Sequence, residues 1–419
     1  MRGKALWHSP RSASLGGGAS SGRKEPEAMD LELSQEQKLL VTTVRGFIAD
    51  ELHPLEDMVD ERGVLPPDDA ERIFSKSKAL GLYAMNVPEE FGGGGLSALD
   101  TMLVEEQFGH TSDILVRRAF GNVYEVLLSC RGEQVDRWLK PCAAGTRTCS
   151  IAFTEPGAGS DAAAIRTRAV RKGGRWLLTG GKHFISDGLH SDFFVVTAVT
   201  DPSAGHRGIS LFLVDKGLPG FTIGRDQKMM GLRGTSHVEL SFDDVELEDV
   251  HLLGAEGEGL KLALTVLGRV RLAQVGARSV GKATRIMGLM LEHSRERRQF
   301  SKALGEFQMV QQMLADSAIE IDAARLALWR TAMEIDRGID PRERISMVKV
   351  QASETLGRVV DRAVQIFGGM GYCKDLPIER YYRDARIYRI FDGASEIHRS
   401  VIARGLMKGS AASFDPYSQ

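Results

Sequence analysis

The hydrophobic periodicity of this chain changes twice along its length, and that change limits the folds open to it. From Leu33 to about residue 150, apolar residues recur at helical spacing, beginning with Leu40, Val44 and Phe47. Strand-like apolar runs replace this pattern at residues 176–179, 193–200, 209–214 and 237–242. Helical spacing then returns and lasts to about Met407. The pattern predicts an α+β protein that is mostly α.

The changes of pattern divide the chain into parts. We predict a disordered tail or targeting segment at residues 1–28, an N-terminal helical domain at 29–149, a β domain at 150–253, a C-terminal four-helix bundle at 254–408 and a tail at 409–419. Ser34 and Gln37 form a capping-box pattern at the start of the first helix. Periodic segments at 260–293, 307–336 and 342–367, with a helix after Gly393, supply the bundle.

Composition excludes several classes of protein. Lys and Arg total 54 against 56 Asp and Glu, so we expect no nucleic-acid partner and no membrane insertion. The four cysteines lack zinc-ligand spacing, and we expect no metal and a reducing compartment. Residues 1–28 are basic and rich in Ser and Gly. We favour an unstructured tail and a cytoplasmic protein; the alternative is an organelle transit peptide and the mitochondrial matrix.

A carboxylate on a glycine hinge, Asp392-Gly393, lies between two apolar-periodic segments near the C-terminus. Ile387 and Ile390 precede it and Ile397 follows it, which predicts a helix, a break and a second helix. A loop carboxylate held between packed helices is well placed to act as a base. Asp is also a favoured N-cap residue, so Asp392 could simply cap the last helix. The residues alone leave both interpretations open.

Three other motifs suggest a ligand with phosphates. The run IAFTEPGAGSD at 151–161 ends an apolar segment in a small-residue loop, whose backbone N–H groups can approach a ligand closely. RRQF at 297–300 and QIFGGMGY at 365–372 each end a long helix. Arginine forks match phosphate geometry, and glycine backbone can lie against a pyrophosphate. An ordinary loop, a solvated basic helix end and a helix C-cap are the structural alternatives.

The order of these motifs resembles that of the acyl-CoA dehydrogenase flavoprotein family. The resemblance covers about residues 33–407 and includes PEEFGGGG, TEPGAGSD, GGKHFISDG, RRQF, QIFGGMGY and IFDGASEIHR. It implies an N-terminal helical domain, a middle β-barrel-like domain and a C-terminal four-helix bundle. It further implies FAD bound between the β domain and the bundle, in a homotetramer or homodimer.

The resemblance also implies roles for individual residues. Phe184 and Ser186 keep the ring and the hydroxyl that relatives place against the flavin, and Arg297 would hold the ADP part across a subunit interface. The implied cofactor-binding residues are Ile151, Phe153, Thr154, Ser160, Phe184, Ser186, Arg297, Gln299, Phe300, Gln365, Gly368, Gly369, Ala394 and Glu396. The implied substrate contacts are Ser160, Arg269, Arg271, Phe391 and Gly393.

Asp392 occupies the position where the family places its catalytic base. Most relatives carry Glu-Gly-Thr where this chain has Asp392-Gly393-Ala394, which resembles an aspartate subgroup of the family. Residues 269–272, where other members place a base, contain no carboxylate. Glu396 is either helix surface or a cofactor contact. Either Arg269 or Arg271 could be the substrate-side arginine, because the alignment slips by one residue here; an ion pair inside the bundle is the alternative.

The resulting functional prediction is FAD-dependent dehydrogenation of an acyl-CoA thioester to a trans-2-enoyl-CoA. Asp392 would take the α proton, and an electron-transfer flavoprotein would accept the electrons. Two alternatives remain: a flavin oxidase on the same fold, of the acyl-CoA or nitroalkane type, and a non-catalytic binding protein that retains the fold.

Overall fold

A computed structural model describes residues 32–121 and 123–409. The predicted tail at 1–28 and, apart from Gly409, the predicted tail at 409–419 lie outside the described residues. A sheet domain separates two helical regions, which confirms the mostly α, α+β prediction. No helix in the described part of the chain combines the length and apolar character needed to cross a membrane.

The N-terminal region is helical and has its own apolar core. Its helices are α1 (Gln35–Phe47), α2 (Glu56–Arg62), α3 (Pro67–Ala79), α4 (Ala98–Phe108), α5 (Asp113–Phe120) and α6 (Lys140–Ala143). The predicted capping box is confirmed, since Gln37 N donates to Ser34 Oγ at 3.1 Å and Ser34 N donates to Gln37 Oε1 at 3.0 Å. Val44, Phe47 and Ile73 pack in the core, as their periodicity predicts.

The middle region is an eight-stranded sheet in the order β6-β7-β3-β2-β4-β5-β8, with β1 pairing parallel to β4. Its strands are β1 (Cys149–Ala152), β2 (Arg168–Lys172), β3 (Arg175–Ser186), β4 (Phe193–Val199), β5 (Ile209–Asp215), β6 (Phe221–Asp226), β7 (His237–Leu247) and β8 (Leu252–Leu253). Phe194 on β4 and Phe221 on β6 lie 5.2 Å apart between ring centroids, although three strands separate them in the order. The sheet therefore curls strongly, as a barrel-like domain requires.

The four predicted strands are all present, but the sequence interpretation missed β1, β2, β6 and the two-residue β8. Strands β2 and β6 are mostly exposed, so they lack the apolar runs that identified the others. Gly173 and Gly174, both at positive φ, connect β2 to β3 as a two-residue hairpin.

The C-terminal region is a helical bundle. Its elements are α7 (Gly259–Val270), a π-helical segment (Arg271–Ala277), α8 (Arg278–Glu296), the short strands β9 (Arg298–Gln299) and β10 (Lys302–Ala303), α9 (Gln308–Asp336), α10 (Arg342–Phe367), α11 (Gly369–Tyr372), α12 (Ile378–Ile387) and α13 (Ser395–Met407). Residues from α8, α9, α10 and α12 form one apolar core. The predicted bundle is confirmed, with α12 as an additional helix packed on α10.

Candidate active site

Asp392 lies in the turn between α12 and α13, at φ +53°. The N-cap of α13 is Ala394, and within the described chain no side chain makes a capping hydrogen bond there. The alternative that Asp392 caps this helix is therefore wrong. A left-handed conformation at a non-glycine residue is costly, and such residues are concentrated at functional sites. The carboxylate is held in the turn for a reason other than helix capping.

The backbone of the turn is anchored through the carbonyl oxygen of Asp392. Arg271 Nε donates to it at 2.7 Å and His398 Nε2 donates to it at 3.1 Å. His398 Nδ1 lies 3.0 Å from Ser346 Oγ on α10, and burial lowers the pKa of His398 to about 4, so the ring is neutral and accepts from the hydroxyl. A Cβ at Gly393 (φ +94°) would lie 2.8 Å from His398 Nε2, so glycine is required there.

The structure separates the two candidate arginines. Arg269 is half-exposed, and its Nη1 lies 3.5 Å from Glu125 Oε2. Arg271 is the residue that reaches the Asp392 turn. It begins the π-helical segment Arg271–Ala277, and a π-turn accommodates one extra residue in a helix. Arg269 lies in the last turn of α7 and Arg271 begins the π-helical segment, so spacing alone could not choose between the two.

Burial raises the pKa of the Asp392 carboxyl above its ordinary value. The charges of Arg271, Lys349 and Arg117 oppose this effect but do not cancel it. A carboxyl with a raised pKa is a stronger base when it is ionised, and such shifts are typical of catalytic groups. The electrostatics of the turn are therefore suited to proton transfer.

Helix α5 connects the Asp392 turn to the β domain. Arg118 binds Asp187 with two hydrogen bonds of 2.7 Å, and Asp187 directly follows Ser186 at the end of β3. Arg117 Nε donates to Asp113 Oδ2 at 2.6 Å, and its charge acts on Asp392. The sequence analysis did not identify Arg117 and Arg118. The available signal was the occurrence of two adjacent arginines in an otherwise largely apolar helix.

Five predicted cofactor residues come together on β1, β3 and the loop after β1. His183 N donates to Thr154 O at 2.8 Å and so joins the two segments. Phe184 is 49% exposed at φ +58°, with the His183 ring stacked on it at 3.9 Å. Ile151, Phe153, Thr154 and Ser186 are all partly exposed. This arrangement offers a flat, open aromatic face that fits a planar ring system.

A buried ion pair between Lys182 and Glu155 lies next to this group of residues. Lys182 Nζ donates to Glu155 Oε1 at 2.7 Å, and Glu155 also accepts from the backbone N–H of Arg166 and Thr167. Both residues belong to recognised motifs, TEPGAGSD and GGKHFISDG. Within the first motif, Ser160 itself is exposed. Glu155 and Lys182 hold the strand and the loop together.

A second group of predicted cofactor residues lies at one end of the bundle. The rings of His293 on α8 and Phe367 on α10 stack at 4.2 Å, which brings the ends of these helices together. The group comprises Arg297, Gln299, Phe300, Gln365, Gly368 and Gly369, all exposed. Phe300 is 89% exposed, an unusual state for a large aromatic side chain. An exposed arginine at the end of one helix and two exposed glycines at the end of the neighbouring helix are groups that can bind a pyrophosphate.

The two groups of cofactor residues remain apart in one subunit. No hydrogen bond or ring contact found within residues 32–121 and 123–409 connects the face at Phe184 with the bundle end at Arg297.

Ala394 and Glu396 lie at the start of α13, and Glu396 is exposed. Phe391 packs edge-on against Tyr388, with ring centroids 5.1 Å apart.

A cleft lies beside the Arg271 segment, between α4, the loop after α5 and the start of the bundle. Its walls are lined by residues that include Leu96, Met102, Val123, Leu272, Gln274 and Arg278. Arg278 binds both Glu105 and Asp113, so this wall continues to the charges that act on Asp392.

Lys349 is a second residue that the sequence analysis missed. It lies on α10, is 0% exposed, and its charge acts on Asp392. The available signal was a lysine at a position where the helical periodicity of α10 calls for an apolar residue.

Comparison with known proteins gives consistent matches along the chain. The family profiles named acyl-CoA dehydrogenase N-terminal, middle and C-terminal domain match residues 34–146, 150–245 and 257–407, respectively. A relative named acryloyl-CoA reductase (NADH), from Anaerotignum propionicum, is 35% identical over 393 residues, which cover 92% of this chain and 98% of that relative.

Solved structures agree with the sequence matches. Butyryl-CoA dehydrogenase from Megasphaera elsdenii superposes with a TM-score of 0.84 at 31% identity, covering 90% of this chain and all of the other. An FAD complex of PigA gives the same TM-score of 0.84 at 28% identity, covering 90% of this chain and 99% of the other. The chain therefore belongs to the acyl-CoA dehydrogenase family of FAD-dependent oxidoreductases.

Proposed function

We propose that this chain is an FAD-dependent dehydrogenase that converts a short acyl-CoA thioester to its trans-2-enoyl-CoA, with Asp392 as the base for the α proton. The observation that carries the proposal is the Asp392 turn. Arg271 and His398 fix its backbone, burial raises the pKa of its carboxyl, and it does not cap the helix that follows. The similarity to butyryl-CoA dehydrogenase supports a short acyl group.

The chemistry needs a base of this kind. The α C–H of a thioester is a very weak acid, and an ordinary carboxylate in water is poorly matched to it. Partial burial of Asp392 limits the water that would stabilise the ionised carboxylate, and this strengthens it as a base. Because both the Arg271 and the His398 hydrogen bonds go to the backbone carbonyl, they fix the position of Asp392 without using its carboxylate oxygens.

Aspartate is one methylene shorter than the glutamate of most relatives, a difference of roughly 1.5 Å, one C–C bond. A misplacement of about 1 Å can cost on the order of 100-fold in rate. The left-handed conformation of Asp392 and the positive φ of Gly393 give the turn a path that a standard helix start would not have. We propose that this path brings the shorter side chain within reach of the substrate.

FAD, when bound, supplies the acceptor for the β hydride. We propose that Phe184, Ser186 and Thr154 receive its ring system and that Arg297 and Gly369 receive its phosphates. The two groups lie apart in one subunit, so each complete site would combine the Phe184 face of one subunit with the bundle end of another. The exposed Phe300 supports a homotetramer or homodimer of this kind. We further propose an electron-transfer flavoprotein as the electron acceptor.

A second candidate is the reverse reaction, reduction of an enoyl-CoA. The relative from Anaerotignum propionicum carries that activity in its name and is 35% identical. The same residues would serve both directions, because Asp392 would then deliver the proton to the α carbon. In either case, a matching enoyl-CoA should reoxidise the reduced flavin and restore its yellow colour. Oxidation of the reduced flavin by NAD+, or reduction of the oxidised flavin by NADH, would favour the reductase.

The experiment that tests the proposal is anaerobic. Purified holoenzyme is mixed with a panel of straight, branched, cyclic and aryl acyl-CoA thioesters while the visible flavin absorbance is followed. Bleaching by short straight-chain acyl-CoA is the expected result. If the flavin stays oxidised with every thioester while FAD remains bound, the dehydrogenase assignment is wrong. Rapid oxygen consumption during turnover would favour the oxidase alternative.

A further inference from the structure

Lys349 carries an ammonium group in the interior of the bundle. Its side chain is completely enclosed, and Nζ finds no hydrogen-bond partner among the residues that the structure describes. A buried charge is normally paired, because an isolated ion loses its hydration and gains nothing in return. Burial accordingly lowers the pKa of Lys349 to about 8. An unpaired ammonium in a dry interior calls for an electrostatic explanation.

The charges around Lys349 point to Asp392. Asp392 is the strongest favourable charge on the ammonium, Arg271 opposes it, and Glu354 and Glu396 contribute less. Glu354 is already engaged by Arg389 at 3.3 Å and by Arg399 at 3.4 Å. Glu396 is exposed to solvent. Asp392 is therefore the carboxylate whose ionisation Lys349 most affects.

The helix that carries Lys349 also holds the Asp392 turn. Ser346, one helical turn before Lys349 on α10, bonds to His398, and His398 donates to the Asp392 carbonyl. Any displacement of α10 would thus move both the ammonium and the anchor of the turn. This shared support keeps the separation of Lys349 and Asp392 constant.

We propose that Lys349 is a positioning residue for the α-proton base, whose ammonium favours the ionised form of the partly buried Asp392. This inference rests on the proposed function. The groups that face Asp392 are Arg271, Lys349, Arg117 and Asp113, together with His398. Arg117 is bonded to Asp113, which offsets its charge, and His398 is neutral above about pH 4. Lys349 and Arg271 are the two cations that remain.

Removal of the Lys349 ammonium should raise the pKa of Asp392. Burial raises the pKa of Asp392, and Lys349 lowers it. Without Lys349 the pKa of Asp392 rises further, so Asp392 is protonated, and inactive as a base, over a wider acidic range. Activity at alkaline pH, where Asp392 is ionised in either case, should change little. An opposite charge at close range typically shifts a carboxyl pKa by about 1 to 3 units.

The test compares Lys349→Met, which keeps the volume and removes the charge, with Lys349→Arg, which keeps the charge. Lys261→Met, at an exposed position on α7, is the matched control. The rate of anaerobic flavin bleaching is measured from about pH 5.5 to about pH 9. The acidic limb of the pH–rate profile for Lys349→Met should move up by about one pH unit, which gives a loss of roughly tenfold at pH values below both limbs and little change near pH 9. Lys349→Arg, which keeps the charge, should keep most of the wild-type pH–rate profile.

Two outcomes would overturn the inference. An equal loss at every pH would show a packing role only, and an unchanged profile would show no role. If the wild-type flavin is not bleached by any thioester, the proposed function fails, and the pair is tested without turnover by urea unfolding. Lys349→Met should stabilise Asp392→Asn more than it stabilises the wild type, because only in the wild type does it also remove the attraction to the Asp392 carboxylate. The same effect in both backgrounds would contradict the inference.

Discussion

At the scale of single residues, Asp392 combines an unfavourable backbone conformation with a partly buried carboxylate. Its left-handed conformation costs on the order of 1 to 3 kcal/mol, and burial opposes its ionised form. Three hydrogen bonds maintain the turn: two from Arg271 and His398 to the Asp392 carbonyl, and one between His398 and Ser346. An aspartate that served only as surface or as a cap would need none of them.

Replacement of the base tests this residue directly. Asp392→Asn keeps the size of the side chain but cannot take a proton, so we expect flavin bleaching to slow by at least about 100-fold. FAD content should be unchanged. The measurement is anaerobic stopped-flow absorbance, together with exchange of the substrate α proton. Asp340→Asn, an exposed position between α9 and α10, is the control of equal charge change. Persistent turnover in Asp392→Asn would remove Asp392 from the mechanism.

At the scale of elements, short helical segments position the site. The π-helical segment directs Arg271 to the Asp392 turn, and α5 joins that turn to the end of β3 through Arg118 and Asp187. Both connections cross between regions that are far apart in sequence. The site therefore depends on how these elements dock rather than on any single motif.

The Arg118–Asp187 pair gives a prediction about docking. Both side chains are largely buried, so Arg118→Met should leave Asp187 uncompensated and destabilise the protein by about 3 kcal/mol. FAD should also bind more weakly, because Ser186 precedes Asp187. Urea unfolding and flavin retention on gel filtration are the measurements. Arg175→Met removes the exposed ion pair between Arg175 on β3 and Glu246 on β7, and it should change stability by less than about 1 kcal/mol. Equal effects of the two variants would contradict the docking role.

The exposed end of α8 gives a second prediction. Arg297→Ala should lose FAD and weaken the oligomer together, since ligand bound between subunits stabilises their association. Flavin content and molar mass by light scattering are measured on the same sample. Arg295→Ala, also exposed on α8, is the control. Loss of neither FAD nor the oligomer would show that this end of the bundle does not hold the phosphates.

At the scale of the whole molecule, buried ion pairs join the N-terminal helices to the bundle. Glu56 lies 3.2 Å from both Arg285 and Arg380, and Arg278 binds Glu105 and Asp113. His110 lies beside this network, and its Nε2 is enclosed without a partner among the described residues. Burial lowers the pKa of His110 from 6.5 to about 3. The interface is therefore built for a neutral histidine.

This arrangement predicts acid sensitivity. In the unfolded chain His110 binds a proton below its ordinary pKa, but in the folded protein it does not until about pH 3. Stability should thus be fully present above pH 6.5 and decline as the pH falls, by about 2 kcal/mol from His110 at pH 5. Urea unfolding at several pH values measures the slope. His110→Asn should reduce it, whereas His206→Gln, at an exposed position, should not; equal slopes in both would exclude His110.

Much of this protein follows from local sequence. The capping box, the main strands and the bundle helices were all predictable, because hydrophobic period and capping act within a few residues. The motif order identified the family, and the Asp-Gly hinge identified Asp392 as a candidate base. Strands β2 and β6 were not predictable, because exposed strands lack the apolar alternation that burial imposes.

The tertiary structure decided what depends on contacts between distant segments. Only docking of the π-helical segment on the α12–α13 turn distinguishes Arg271 from Arg269, because both occur within three residues of one helix. Periodicity places Lys349 on the apolar face of α10, but only packing shows that its ammonium is enclosed and has no hydrogen-bond partner among the described residues. Local patterns specify elements, but the pKa of a carboxyl and the partner of a charge depend on atoms that folding brings together from across the chain.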